Sequence, residues 1–330
     1  MRTFKGEDIK TFEQIASLKQ DTLRKVVARF LKKHYAHVIE TQDYVFCEGD
    51  IPIALIAHLD TVFPRIPQEI FYDSKQGVMW SPDGLGADDR AGVFAILKII
   101  QSGLKPHIIF TTDEEYGGIG ASKLAALSCP FKELKYMIEL DRKGSDDCVF
   151  YDCDNGEFVE YIEKFGFVES VGTFSDISIL CPAWGVAGVN LSIGYRDEHT
   201  PIEVLFVGQM LSTIEKVKTM LQEKNIPQFK YIPNPYGYSA LWNSCYAKDN
   251  KVEKCTFCKK YFIEEELFPI IMQDGSTQFC CPDCIAEQVS WCTNCLKGYE
   301  RHSPEAPAAG LCPICIEQGD KVNEKNSKAI

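Results

Sequence analysis

The chain has 330 residues, of which 45% are hydrophobic, and it carries a formal net charge of −12. This length predicts about two domains with a proper buried core. The acidic balance argues against nucleic acid as a partner, because binding a phosphate backbone requires clustered Lys and Arg. No apolar run reaches the roughly 18 residues of a membrane span, and residues 1–12 lack a signal-peptide core. We therefore expect a soluble, cytoplasmic protein with no membrane partner.

Helices and strands alternate along residues 21–221. Asp21 is expected to cap a helix whose apolar residues share one face. Strands are predicted at 44–46, 53–57, 108–110, 136–138 and 186–193, and the second of these is continuously apolar, as a strand covered on both faces should be. Further helices are predicted at 88–100 and after Pro201. This alternation indicates an α/β fold with a mostly parallel sheet flanked by helices.

The composition changes after residue 225. Prolines and aromatic residues in 226–250 cannot continue a helix and indicate a connector. Nine of the fifteen cysteines follow residue 250, mostly in C-x-x-C pairs. We therefore divide the chain into a first domain (1–225), a connector (226–250), a Cys-rich module (251–318) and a disordered polar tail (319–330).

Five short polar motifs lie at the ends of predicted elements in the first domain. They are His58-Leu59-Asp60, Gly86–Gly92, Asp113-Glu114-Glu115, Glu139-Leu140-Asp141 and Asp197–Pro201. Four follow strands, and the remaining one, which contains Asp88, begins a helix. Ligands of open α/β sheets bind outside the carboxyl ends of the strands. Polar residues present only for solubility would not all select this edge, so the motifs predict a single site.

The residue types in these motifs suit metal-assisted hydrolysis. Imidazole and carboxylate are ligands for zinc, and also for manganese or cobalt. Two such ions about 3.5–4 Å apart can polarise a carbonyl and activate water near neutral pH. A carboxylate that is not a ligand can carry a proton from water to a leaving amine. The adjacent Glu114 and Glu115 fit this division of roles.

The motifs resemble those of the co-catalytic zinc metallopeptidases, which include bacterial leucyl aminopeptidase, peptidase T and carboxypeptidase G. The resemblance covers roughly residues 20–222. It rests on Gly-Ala-Asp-Asp-Arg-Ala-Gly, Glu-Glu-Tyr-Gly-Gly-Ile-Gly-Ala and Tyr-Arg-Asp-Glu-His-Thr-Pro-Ile-Glu. It implies a zinc exopeptidase-like fold and a two-metal amide or peptide hydrolase, with an aminopeptidase-like exopeptidase favoured. The short intervals between His58 and Asp88 and between Asp141 and His199 leave no room for the lid domain of many relatives.

The resemblance also implies a role for each motif residue. The ligands of two catalytic metal ions would be His58 and Asp141 on one ion, Glu115 and His199 on the other, and Asp88 bridging both. Glu114 would be the general base and then the acid, and Asp60 would orient the imidazole of His58. The peptide bond between Asp88 and Asp89 would be cis.

Several single assignments stay open. Asp60 can also be read as a simple strand-end cap, and Asp176 either lies near the substrate or caps a helix. Arg90 and Arg196 either meet a substrate carboxylate or form surface salt bridges, and we favour the salt bridges.

The cysteine spacing predicts two structural zinc sites. Eight thiols form four C-x-x-C pairs: Cys255 and Cys258, Cys281 and Cys284, Cys292 and Cys295, Cys312 and Cys315. Four equal spacings match two tetrahedral zinc sites and are not explained by buried hydrophobic cysteines. Sequential pairing is favoured over a cross-brace. Cys280 could substitute for Cys281, and His302 is a less favoured ligand.

Three functions follow from these patterns. The first is a peptidase, and the second keeps the same site but acts on an N-acyl amino acid or another small amide. The third is an adaptor whose zinc module binds a protein partner while the hydrolase fold is vestigial. The complete set of acidic and histidine residues argues against the third, since an idle site has no reason to keep such a costly cluster.

Overall fold

The computed structural model describes residues 4, 6–234, 252–258, 261–263, 267–301 and 311–317. The chain divides into two compact units, residues 1–240 and 241–330. Residues 226–234, predicted as connector, run along the first unit, where Lys230 bridges to Val186 and Pro233 to Cys153. The rest of the predicted connector (235–250), the tail 319–330 and His302 lie outside the described residues. Among the described residues, no helix is both long and apolar enough to cross a membrane.

The first unit contains twelve strands and seven helices within its described residues. The strands are β1 (Val38–Glu40), β2 (Tyr44–Cys47), β3 (Ile51–His58), β4 (Phe71–Asp73), β5 (Val78–Trp80), β6 (Pro106–Thr111), β7 (Tyr136–Arg142), β8 (Asp147–Val149), β9 (Val168–Glu169), β10 (Gly188–Ser192), β11 (Tyr195–Arg196) and β12 (Val204–Phe206). The helices are α1 (Gly6–Ala16), α2 (Gln20–Leu31), α3 (Ala87–Gln101), α4 (Ile119–Ala125), α5 (Gly156–Glu163), α6 (Asp176–Trp184) and α7 (Val207–Leu221).

Eight of these strands form one sheet in the order β1-β2-β6-β3-β7-β10-β8-β9. The four central strands β6, β3, β7 and β10 are parallel to one another. Antiparallel neighbours flank them, since β2 pairs with β6 and β8 pairs with β10 in that sense. The predicted mostly parallel α/β sheet is therefore confirmed.

The apolar run of β3 is explained by helices on both faces of the sheet. Ile53, Leu55 and Ala57 belong to one hydrophobic core, which they share with residues of α1, α2, α3 and α7. Ala54 and Ile56 belong to a second core with residues of α4 and α6. Alternate side chains point to opposite faces of a strand, so a strand covered twice is apolar at every position. His58 is the last residue of this strand and the first polar residue after the apolar run.

The helix predicted directly after Pro201 begins later than expected. Residues 204–206 form β12, which pairs antiparallel with β5 in a second sheet of order β11-β12-β5-β4. Helix α7 begins at Val207, and its buried residues include Val207, Ile214, Val217 and Leu221. The spacing of the apolar residues does not show whether residues 204–206 form a strand or the first turn of the helix. They form a strand because they pair with β5.

The N-cap predicted for α2 is also wrong. The cap position is Lys19, and Asp21 lies in the first turn of the helix. Its carboxylate is still favourable there, because the N-terminal end of a helix carries partial positive charge.

The second unit contains three two-stranded antiparallel hairpins in its described residues. They are β13 (Val252–Lys254) with β14 (Tyr261–Ile263), β15 (Phe268–Ile271) with β16 (Thr277–Cys280), and β17 (Val289–Trp291) with β18 (Gly298–Glu300); α8 (Pro282–Gln288) precedes β17. The buried apolar residues form two small clusters around cysteines. Cores of this size contribute little stability without further cross-links.

Candidate metal sites

The five polar motifs of the first unit meet at the carboxyl edge of the parallel strands. His58 ends β3, and Asp141 lies at the end of β7. Three overlapping groups of side chains have ligand atoms within 4.8 Å of one another. The first consists of His58, Asp88 and Asp141, the second of Asp88, Glu115 and His199, and the third of His58, Glu114 and Glu115. The first two groups share Asp88.

The carboxylate of Asp88 lies between the two histidines. Its Oδ1 atom is 3.0 Å from Nε2 of His58, and its Oδ2 atom is 3.1 Å from Nε2 of His199. Asp141 Oδ1 lies 3.5 Å from the same His58 nitrogen, and Glu115 Oε1 lies 3.0 Å from the His199 nitrogen. Each oxygen of Asp88 therefore faces one histidine and one further carboxylate.

The backbone before Asp88 is held by Glu203. The side chain of Glu203 is fully buried, and its carboxylate accepts hydrogen bonds from the N–H groups of Ala87 (3.0 Å) and Asp88 (3.1 Å). Burial raises the pKa of Glu203 to about 7. Gly86 adopts a left-handed conformation with φ of 66°. Glu203 ends the motif Tyr-Arg-Asp-Glu-His-Thr-Pro-Ile-Glu, but nothing in the local sequence shows that its side chain is buried.

The peptide bond between Asp88 and Asp89 is cis, as the resemblance implied. The carboxylate of Asp89 turns inward and accepts hydrogen bonds from the N–H groups of His58 (3.3 Å) and Gly92 (2.8 Å). Asp89 therefore ties the end of β3 to the start of α3, while Asp88 points towards the histidines.

Asp60 connects the imidazole of His58 to the two glutamates. Its Oδ1 atom is 3.2 Å from Nδ1 of His58. Its carboxylate also accepts hydrogen bonds from the N–H groups of Glu114 (3.1 Å) and Glu115 (3.0 Å). A carboxylate behind a ligating imidazole fixes the orientation of the ring, so the contacts suit the orienting role. The two backbone hydrogen bonds also agree with the reading of Asp60 as a strand-end cap.

The buried acids of the site lie close together, and this raises the pKa values of Glu114 and Glu115. Burial, with added repulsion from Asp176, Glu139 and Glu115, raises the pKa of Glu114 to about 9, although the charge of His58 opposes this. Burial and the charge of Asp88 raise the pKa of Glu115 to about 6.

The same environment also shifts the pKa values of the ligand candidates Asp141 and His58. Burial and the charge of Asp88 hold the pKa of Asp141 well above its usual range. Burial lowers the pKa of His58, but Asp141, Asp60 and Asp88 outweigh that effect and leave it raised. Divalent cations between such carboxylates and imidazoles would relieve the repulsion, so the donor set fits zinc, manganese or cobalt.

Two residues that the sequence did not single out hold Asp141. The hydroxyl of Tyr195 donates to Oδ1 of Asp141 at 3.1 Å, and the side-chain oxygen of Asn190 accepts from the N–H of Asp141 at 2.9 Å. Both are buried. Asn190 reaches Asp141 because β10 pairs with β7, whereas Tyr195 lies in β11, shortly after the end of β10.

Asp176 is the first residue of α6 and is fully buried. Ser175 occupies the cap position, so the helix-cap alternative is wrong. The carboxylate of Asp176 accepts a hydrogen bond from the hydroxyl of Thr111, and its charge contributes to the raised pKa of Glu114.

Arg90 and Arg196 have different environments. Arg90 is buried, and its guanidinium donates to the carbonyl oxygens of Leu59 and Leu18. The favoured prediction of a surface salt bridge is therefore wrong for Arg90. Arg196 is exposed, and its guanidinium lies 5.2 Å from the centre of the Phe206 ring.

The eight paired cysteines of the second unit form two compact groups. The first contains Cys255, Cys258, Cys281 and Cys284, and the second contains Cys292, Cys295, Cys312 and Cys315. The pairs are therefore combined sequentially, as favoured, and not as a cross-brace. Cys280 is buried outside both groups.

The thiol environment suits metal binding. Burial raises the pKa of Cys255, but hydrogen bonds from the N–H groups of Cys281 and Cys258 outweigh it and bring the pKa to about 6. Sulfur atoms of different pairs approach closely, at 3.9 Å between Cys258 and Cys281. Four thiols in such a group match the donor set of a structural zinc site.

Several solved peptidase structures share the fold of this chain. A tripeptidase from Staphylococcus aureus is 15% identical with a TM-score of 0.52, and the match covers 66% of this chain and 98% of the tripeptidase. An aminopeptidase from the archaeon Desulfurococcus kamchatkensis is 16% identical with a TM-score of 0.52, covering 67% of this chain and 96% of that one. A TET aminopeptidase from a marine-sediment thaumarchaeon is 13% identical with a TM-score of 0.50, covering 67% and 98%.

No protein-family model and no curated protein matches the chain. The likeness to the solved structures establishes the fold of the chain. The fold that the motifs indicated is therefore confirmed, since it is shared with solved peptidases.

Proposed function

We propose that this protein is a metal-dependent peptide hydrolase, and more narrowly an exopeptidase of the aminopeptidase type. The observation that carries the proposal is the position of Asp88, whose two carboxylate oxygens face His58 and His199 at 3.0 and 3.1 Å. A carboxylate that serves two ligand groups at once is the arrangement that a two-metal centre requires.

The residues that would hold the ions are those of the two groups that share Asp88. His58 and Asp141 would bind one ion, Glu115 and His199 the other, and Asp88 both. When bound, the ions would supply Lewis-acid polarisation of an amide carbonyl and a water of lowered pKa.

Glu114 is the residue that we propose moves the proton. One of its carboxylate oxygens would take the proton from the attacking water and later deliver it to the leaving amine. The carboxylate of Asp60 accepts a hydrogen bond from the backbone N–H of Glu114 and so fixes the backbone of Glu114 beside the ligand cluster. Nearby cations favour the ionised form of a carboxylate, which a base requires despite the effect of burial.

Each four-cysteine group would hold one structural zinc ion. The two small apolar clusters of the second unit are centred on these cysteines. Zinc binding would therefore supply much of the folding free energy of this unit.

The proposal is tested by hydrolysis of a panel of short peptides and N-acyl amino acids, with metal content measured on the same samples. We expect wild type to cleave peptides and Glu114→Gln to lose activity by about 10²- to 10⁴-fold with its metal retained. Glu160→Gln, an exposed glutamate on α5, is the matched control and should behave as wild type.

Two outcomes would contradict the proposal. Cleavage of N-acyl amino acids alone would move the activity to small-amide deacylation. Metal bound only at the cysteines, with no cleavage of any compound, would favour the adaptor function.

A further inference from the structure

A cavity of about 270 Å³ adjoins the ligand cluster of the first unit. Its wall includes Asp60, which contacts His58, together with Gly86 and Tyr116, which lie close in sequence to Asp88 and Glu115. The loop 61–67 and residues 18–20, which join α1 to α2, line other sides. Ligand pockets for drug-sized molecules are about 300–1,000 Å³, so this cavity suits a group of about one residue.

Two exposed cationic side chains line this cavity. They are Lys19, at the start of α2, and Arg65, in the loop after β3. Within the part of the chain that the structure describes, neither forms an ion pair. Both charges are therefore available to a ligand.

The acidic residues of the cavity wall are already engaged. Asp60 is turned towards His58 and the backbone of the glutamates. Asp113 accepts a hydrogen bond from the side-chain amide of Gln20 at 2.9 Å. These contacts satisfy the carboxylates, whereas the two cations have no corresponding partner among the described residues.

The buried part of the wall is also positive. Arg90 is only 4% exposed and lines the cavity, and its Nε atom has no hydrogen-bond partner among the described residues. Helix α2 also starts at this wall, but Asp21 in its first turn already interacts with the positive end of the helix. Arg90, Lys19 and Arg65 therefore give this cavity a positively charged wall beside a strongly acidic site.

We propose that this cavity binds a carboxylate of the substrate beside the hydrolytic centre. The inference rests on the proposed function and narrows its substrate class to short peptides with a carboxylate within one residue of the cleaved bond. A C-terminal carboxylate or an acidic side chain supplies the same chemistry. The free acids of the ligand cluster would repel such a group, so Arg65 and Lys19 offset that repulsion where the substrate enters.

Binding is measured directly, by calorimetry on the zinc-loaded Glu114→Gln chain, so that the result does not depend on turnover. The probes are alanyl-alanine, its C-terminal amide, and alanyl-aspartic acid amidated at its C-terminus. We expect the first to bind about tenfold tighter than the amide, as one charge-assisted hydrogen bond provides. Adding Lys19→Gln or Arg65→Gln should remove this preference, whereas the exposed matched control Lys123→Gln should retain it.

The third probe separates the two sources of the carboxylate. Tight binding of the amidated aspartyl peptide would show that the cavity binds an acidic side chain of the substrate. Weak binding of this peptide would show that the cavity binds the C-terminal carboxylate. Equal binding of all three probes, unchanged by Arg65→Gln and Lys19→Gln, would overturn the inference. Hydrolysis by wild type without a carboxylate preference would also overturn it and leave the proposed function intact. Carboxylate-dependent binding with no hydrolysis would contradict the proposed function alone.

Discussion

The carboxylate of Glu203 accepts a hydrogen bond from the N–H of Asp88 at 3.1 Å and another from Ala87 at 3.0 Å. Glu203 immediately precedes β12, whereas Asp88 lies in the first turn of α3. The pair therefore connects the smaller sheet to the residue that faces both histidines. A fully buried carboxylate with two backbone donors is well placed to fix the direction of the Asp88 side chain.

Glu203→Gln should weaken metal binding at the Asp88 cluster while the chain still folds. The amide offers one acceptor oxygen and places an NH₂ donor against a backbone N–H, so one of the two hydrogen bonds is lost. Loss of a residue that orients a ligand typically costs about 10- to 100-fold in metal affinity. Competition titration with a chelator measures this affinity. The exposed Glu157→Gln should match wild type, and equal affinity in Glu203→Gln would show that the contact does not position Asp88.

His199→Ala should remove about one of the two metal ions expected at this cluster. His199 belongs only to the group with Glu115, and the group with Asp141 keeps its ligands. The side chain is 49% exposed, so its removal leaves no large cavity. Elemental analysis measures the loss, with the exposed His37→Ala as control. Loss of both ions, or of neither, would contradict two separate ligand groups.

Cys281→Ala and Cys280→Ala should differ although the two residues are neighbours. Cys281 belongs to the first cysteine group, whereas Cys280 is buried outside both groups. We expect Cys281→Ala to lose about one zinc ion per chain and Cys280→Ala to keep wild-type zinc content. A colorimetric zinc assay on the unfolded proteins decides between them. The reverse result would assign the ligand to Cys280.

His107 should make the free energy of unfolding fall as the pH drops. Nδ1 of His107 accepts from the N–H of Gly49 at 3.0 Å, and its other ring nitrogen donates to the carbonyl of Glu133 at 2.7 Å. These contacts require the neutral ring, and burial lowers the pKa of His107.

The unfolded chain takes up the proton near pH 6.5, and the folded chain does so only at lower pH. Stability is therefore present above the unfolded pKa and is lost below it, by at most about 1.4 kcal/mol per pH unit. Urea unfolding at pH 7.5 and 5.5 measures the loss, and His107→Gln should reduce it. An identical pH dependence in both proteins would exclude this contribution.

The sequence was sufficient to predict the parallel centre of the sheet and the edge where the ligand candidates lie, but not strands β1, β8 and β9. The apolar run of β3 indicated a strand covered on both faces, and the polar residues directly after it marked the edge where the groups meet. Such patterns are local, so they can be read along the chain.

The remaining features depend on distant contacts. Glu203 and Arg90 are charged residues that the sequence places on the surface by default, yet one is held by the backbone of Ala87 and Asp88 and the other by the carbonyls of Leu59 and Leu18. The strand at 204–206 likewise forms because β5 lies beside it. The cysteine spacing allowed two pairings, and the three-dimensional arrangement distinguishes them.

The most direct test is the zinc content of purified wild type and Asp88→Asn after equilibration with zinc. Two groups that share Asp88 and two four-cysteine groups predict about four ions per wild-type chain. Asp88→Asn should keep about two, bound by the cysteines, and should lose peptide hydrolysis. Wild type with only two ions, or Asp88→Asn with the zinc content and activity of wild type, would contradict a two-metal centre built on Asp88.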